Sequence, residues 1–160
     1  MGLNMLHGGH MTHGYISGGK KMSVSSVFFD ARTYSLNEET LDIDFEGLEK
    51  SALEFKPHII ICGFSSYTKN YDYKPFRDIC TKININEDPS LPPRHPILMA
   101  DIAHTSGMIA SKLLNNPFEY CDIVTSTTHK SLRGPRSGLI FFRRGAEYDY
   151  EEKINFAVFP

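Results

Sequence analysis

Four short apolar runs limit what this chain can fold into: Ile59-Ile60-Ile61-Cys62-Gly63, Ile97-Leu98-Met99-Ala100-Asp101, Ile123-Val124-Thr125 and Leu139-Ile140-Phe141-Phe142. None alternates apolar with polar residues. Each therefore reads as a strand covered on both faces rather than one half open to water. Before the first run, Phe45, Leu48, Ala52 and Phe55 recur at helical spacing, with Asp44 as N-cap and Pro57 as the stop. After it, Phe76, Ile79, Cys80 and Ile83 form a second helical stripe, opened by Asp72. Strands alternating with such helices need right-handed crossovers. The expected class is α/β, a mainly parallel sheet with helices on both faces. Residues 22–29, Met-Ser-Val-Ser-Ser-Val-Phe-Phe, read as a further strand from their branched and aromatic content. Residues 84–96, rich in turn formers and charges, read as a loop.

The chain has 160 residues and a 41% hydrophobic share, enough for the core of one domain. A formal charge of −2, with no block of basic residues, argues against nucleic acid or an acidic membrane surface as partner. No apolar run approaches the ~20 residues of a membrane helix, and the opening residues lack the pattern of a secretion signal. Cys62, Cys80 and Cys121 are odd in number and far apart. They point to a reducing interior, hence a cytoplasmic location, with a mitochondrial one open only to a longer N-terminus. The chain begins on a Gly/His cluster and ends in the apolar run Phe156-Ala157-Val158-Phe159. Neither resembles an exposed linker, so residues 1–160 are expected to be part of a single domain.

Ligands of open α/β sheets gather at the carboxyl ends of the strands. Ser65-Ser66-Tyr67, Asp101-Ile102-Ala103-His104 and Thr127-Thr128-His129-Lys130 each follow one of the apolar runs. An amine and a carboxylate on one sheet edge are what pyridoxal phosphate requires. The lysine binds it covalently and has to be reachable as a neutral amine, and the acid stays ionised beside the ring nitrogen. Lys130 and Asp101 are the candidates. Taken singly they have plainer readings: a solvated surface charge, a helix cap, and for His104 and His129 ordinary core or surface imidazoles.

Two other motifs compete. Gly14 to Lys21 is spaced nearly like a phosphate-binding loop, but Lys21 stands where magnesium needs a hydroxyl, and no strand precedes it. His7, His10 and His13 could gather zinc, although no cysteine lies near to complete four ligands.

Residues 125–136, Thr-Ser-Thr-Thr-His-Lys-Ser-Leu-Arg-Gly-Pro-Arg, resemble the lysine signature of serine hydroxymethyltransferases. Asp101 to His104 resembles that family's Asp-x-Ala-His element, and residues 7–14 resemble its Gly-Gly-His-Leu-Thr-His-Gly element. The three stand in the family's order, and similarity between them extends over nearly the whole chain. The resemblance implies the large domain of a fold-type I, aspartate aminotransferase-like pyridoxal phosphate enzyme, here incomplete. It implies that Lys130 forms the Schiff base, flanked by His129 and Thr127. Asp101 would partner the ring nitrogen and His10 would stack on the ring. Ser65 and His104 would bond near the phenolic oxygen or the substrate, and Arg136 would support the site. Met5, Gly9 and Met11 would line a folate pocket. The implied reaction converts serine and tetrahydrofolate to glycine and 5,10-methylenetetrahydrofolate, in a homo-oligomer (dimer or tetramer).

Some positions depart from the family pattern. Ser126 interrupts a threonine run, Met11 replaces leucine, His7 has no assigned role, and the 84–96 loop is longer than usual. The family's phosphate-binding turn, its catalytic Glu and Tyr, its later glycine-rich turn and its substrate-clamping Arg have no counterpart here. The isolated chain is therefore expected to show little or no transferase activity. The alternative is a truncated, non-catalytic fragment acting through association with a full-length subunit. A threonine aldolase of the same fold matches the lysine string poorly.

Overall fold

A computed structural model describes residues 1–145 and 148–159. The elements in chain order are β1 (Gly2–Leu3), β2 (Ile16–Ser17), β3 (Lys20–Lys21), α1 (Val24–Phe28), β4 (Thr33–Tyr34), α2 (Phe45–Phe55), β5 (Ile59–Gly63), α3 (Lys74–Lys82), β6 (Ile97–Asp101), α4 (Ser106–Ala110), β7 (Ile123–Thr127), β8 (Gly138–Phe142) and α5 (Tyr150–Val158). The central sheet runs β5-β6-β7-β8, with the first three strands parallel and β8 antiparallel to β7. This is the α/β architecture with a mostly parallel sheet.

Alternation within the strands places the core. Ile60, Cys62, Leu98, Ala100 and Val124 are essentially sealed from solvent, as are Leu48 and Ala52 of α2 and Phe76 and Cys80 of α3. Burying each large side chain contributes about 1.5–3 kcal/mol. Phe76 is the hub: Tyr34, Phe45 and Tyr71 meet its ring at centroid distances of 5.6, 5.0 and 5.6 Å. The other face is barer. Ile59 is 39% exposed, and it lines an open groove with Ile61, Met99, Phe28 and Phe29. Cover is therefore unequal among the described residues, rather than the even two-sided helical cover expected.

Both expected helices form. Asp44 Oδ1 accepts from the Gly47 amide at 2.9 Å and caps α2, which ends as Lys56 turns left-handed before Pro57. In α3 the cap position falls to Tyr73, and Asp72 acts one residue earlier, accepting from the Lys74 amide at 3.1 Å. Residues 84–96 contain no helix or strand. They lead into the amino end of β6, away from the carboxyl edge.

The reading of residues 22–29 as a strand is overturned, because Val24–Phe28 form a helix. The cause is local. The Ser23 hydroxyl accepts from the Ser26 amide, and the Ser26 hydroxyl accepts from the Ser23 amide, a reciprocal cap that satisfies two end groups at once. Val24, Val27 and Phe28 then point largely to solvent, which the branched-residue count could not reveal.

The N-terminal segment is laid along the free edge of β5. The Met1 amino group donates to Ile59 O at 2.8 Å, and the Ile61 amide donates to Met1 O at 2.7 Å. This brings the turns at Met5–His7 and Met11–His13 to the carboxyl edge, where Gly8 O accepts from the Ser65 and Ser66 amides at 2.8 and 3.1 Å. Gly9 fits because a Cβ there would sit 1.9 Å from Leu3 O.

Candidate active site

β6 ends at Asp101, in register with Gly63 of β5 and Thr125 of β7. Ser65 follows β5 by two residues and Lys130 follows β7 by three, so these side chains start from the same edge of one sheet. Asp101 is firmly held. Its Oδ2 accepts from His13 Nε2 at 2.8 Å and its Oδ1 from the Ala103 amide at 3.1 Å. Burial alone would push this carboxyl up. The bond to His13, the charge of that ring and the Ala103 amide together outweigh burial and hold it below its ordinary value. The carboxylate is thus ionised at neutral pH.

His10 caps the Met11–His13 turn through Nδ1, which bonds the Thr12 hydroxyl at 2.6 Å, and its ring lies 5.6 Å from that of His13. The pKa of His10 is lowered by burial first, then by His13 and Lys130, against the opposing pull of Asp101. His104 is lowered by burial, then by Lys130 and His10, again against Asp101. Both imidazoles therefore feel the opposing influences of Lys130 and Asp101.

Lys130 is half-buried in a loop closed on itself. The Thr128 amide donates to Ser137 O at 3.1 Å, Gly134 N to Thr128 O at 2.7 Å and Arg133 N to Lys130 O at 3.0 Å. The Thr128 hydroxyl donates to the carbonyls of Pro135 and Ser137. Three buried polar atoms have no partner among the described residues: Thr127 Oγ1 and His129 Nδ1, both within three residues of Lys130 in the chain, and His13 Nδ1. Each such atom costs about 1–3 kcal/mol unless a ligand or water answers it. A depressed carboxylate, an amine, two neutral imidazoles and orphaned hydroxyl and ring nitrogen atoms fit a phosphorylated pyridine aldehyde.

Other expected residues are less closely assembled. Ser65 is half-buried and tied by its amide to the N-terminal turn, while Arg136 is exposed on the lysine loop. Met5 and Met11 are 43% and 42% exposed, and Gly9 is buried in the turn between them. Neither the cavity of about 480 Å³ beside α4 nor the groove of about 700 Å³ beneath α1 is lined by Lys130 or Asp101. The Gly14–Lys21 motif forms the β2–β3 hairpin, and Gly18 and Gly19 turn it with φ of 53° and 78°. His7, His10 and His13 bond to different partners: the Leu36 amide, Thr12 and Asp101. Among the described residues no cluster of three or more His, Cys, Asp or Glu is placed to hold a metal ion.

The residue at Asp101 that the sequence reading does not assign to this site is His13, weighed there only as a zinc ligand. Its one signal was the second imidazole of the His-x-x-His spacing, which the turn uses to aim one ring at Asp101.

The family model described as serine hydroxymethyltransferase matches residues 1–160. Serine hydroxymethyltransferase 4 of Arabidopsis thaliana is 48% identical over the whole of this chain, which covers 34% of that relative. The cytosolic serine hydroxymethyltransferase of Encephalitozoon cuniculi is 48% identical, with 33% of its length covered, and the Plasmodium falciparum protein 46% identical, with 34% covered; both again match all of this chain. The chain spans about a third of the length of these relatives.

Proposed function

The chain belongs to the serine hydroxymethyltransferase family, and we propose that it forms the cofactor-holding part of an enzyme with that activity: pyridoxal phosphate-dependent interconversion of serine plus tetrahydrofolate with glycine plus 5,10-methylenetetrahydrofolate. The observation that carries this is geometric: Asp101, bonded by His13 at 2.8 Å, ends β6 in register with Thr125 of β7, the strand that leads into the Lys130 loop at the same sheet edge. The parallel β5-β6-β7 order, with these residues past its carboxyl ends, supports a fold-type I large domain.

Pyridoxal phosphate, when bound, supplies an electron sink for a carbanion next to the amino group of the substrate. The chain's own residues do the rest. Lys130 would hold the cofactor through Nζ. Asp101, kept ionised and oriented by His13, would hold a proton on its ring nitrogen. His10 would contact the ring. Ser65 and His104 would offer hydrogen bonds near the phenolic oxygen or the substrate, and Thr127 and His129 flank the lysine in the chain with atoms that lack partners among the described residues. Arg136 supports the loop, and Met5, Gly9 and Met11 face the folate. The setting is a homo-oligomer in the cytoplasm. The relative from Encephalitozoon cuniculi is named as cytosolic, and no helix among the described residues is long and apolar enough to cross a membrane.

The test is a chimera in which these 160 residues replace the matched third of a full-length relative. Serine-to-glycine turnover should survive the exchange and vanish with Lys130→Ala. A folded chimera without turnover, or one indifferent to Lys130→Ala, contradicts the reading.

A further inference from the structure

We propose that Ser131, the residue after Lys130, is a positioning residue that sets Lys130 relative to Asp101 by fastening the lysine loop to α4; this rests on the cofactor reading above. Ser131 Oγ accepts from the Gly107 amide at 3.0 Å and is hydrogen-bonded to Ser106 Oγ at 3.2 Å. Contact is close: a Cβ at position 107 would lie 3.0 Å from Ser131 Cβ and 3.1 Å from Ser131 O, so the loop would have to give way slightly to any larger residue.

The two pieces so joined are each tied internally by hydrogen bonds. On one side Asp101 Oδ1 takes the Ala103 amide, the Thr105 amide donates to Ile102 O at 2.9 Å, and Ile109 N to Thr105 O at 2.9 Å. The carboxylate, its turn and α4 therefore move as one. On the other side the 128–137 loop is closed by its own backbone bonds. Strand pairing joins β6 and β7 but stops at Thr125, five residues short of Lys130. Ser131 supplies a side-chain tie beyond that point. Lysine has a long flexible stem, so its amine is placed only as well as its backbone is. A displacement of an ångström at a reacting group can cost a hundredfold in rate.

The experiment compares the chain with Ser131→Ala and Ser131→Thr. Hydrogen exchange at the Gly107 amide is followed without cofactor. Borohydride-fixed pyridoxal phosphate on Lys130 is then quantified by peptide mass at limiting cofactor. Ser131→Ala should speed Gly107 exchange about tenfold, leave the Ile60 and Leu98 amides protected, and lower labelling of Lys130 about fivefold, a modest share of what misplacement can cost. Ser131→Thr, which keeps the hydroxyl, should restore both. Unchanged Gly107 exchange overturns the tie. Faster exchange with unchanged labelling shows Ser131 to be merely structural and overturns positioning. If the parent chain fails to label Lys130 at all, the cofactor reading falls and the positioning claim falls with it.

Discussion

Two aspartates sit at opposite ends of the same sheet, and the protein treats them differently. Asp122, at the amino end of β7, is locked by Arg77 Nη2 at 2.6 Å and by the Leu98 amide at 2.8 Å, both on Oδ2. Arg77 Nε in turn donates to Tyr120 O at 2.8 Å, and Arg143 donates to the carbonyls of Cys121, Phe118 and Glu119. That end is closed, with each charge answered by another protein group. Asp101, at the carboxyl end of β6, is held by an imidazole whose other nitrogen, like Thr127 Oγ1 and His129 Nδ1, has no partner among the described residues. The contrast separates two uses of a carboxylate at a sheet edge. One stitches strands together. The other is kept ionised at an edge where the protein leaves polar atoms for something else to satisfy.

The largest effect that can break this comparison is on stability. Asp122→Ala leaves the Arg77 guanidinium half-buried and unpaired, and should cost about 3–5 kcal/mol in urea unfolding. A loss under about 1 kcal/mol would show that the amino edge is not the structural one. Next comes Asp101→Asn, whose oxygen still accepts from the Ala103 amide while its NH2 faces His13 Nε2, a ring nitrogen that accepts in the other tautomer. It should change stability by less than about 1.5 kcal/mol and weaken pyridoxal phosphate binding about tenfold, the worth of one charge-assisted bond. Equal binding by mutant and parent would remove Asp101 from the site. Thr127→Val is the sharper, smaller test. It deletes a buried hydroxyl with no partner, so stability should stay level or rise by up to about 1 kcal/mol while cofactor binding falls. Clear destabilisation would mean that the hydroxyl is already satisfied by the protein.

The smallest effect is on pH. His10 and His104 have folded pKa values below their ordinary 6.5, so the unfolded chain binds more protons in the window just beneath that value. Stability should rise with pH through that window and be partly lost on acidification below about 6.5. His104→Asn should flatten the slope only slightly, since that side chain is exposed. An unchanged slope in a His10, His104 double variant would deny both rings their lowered values.

What could be read from the sequence follows from range. Asp44 and the stripe it opens are local, as are the apolar runs that became β5, β6 and β7, and all were legible. The α1 helix was misread because two serine hydroxyls outweigh the branched residues between and after them. β8 was legible as a strand, but its antiparallel direction was not, because direction depends on how the loop at 128–137 folds back. Lys130 and Asp101 could be picked out because each ends a recognisable strand. The bond from His13 to Asp101 spans 88 residues, and nothing near either residue announces it. The same holds for Ser131 and Gly107, 24 residues apart and joined only once two loops meet.

The account stands on one carboxylate and one amine serving the same ring. Nitrogen-15 resonance of ring-labelled pyridoxal phosphate fixed on Lys130 reads this directly. The ring nitrogen should be protonated at neutral pH in the parent chain and should lose that proton in Asp101→Asn. A ring nitrogen that is unprotonated in the parent, or indifferent to the substitution, would place Asp101 elsewhere and contradict the account.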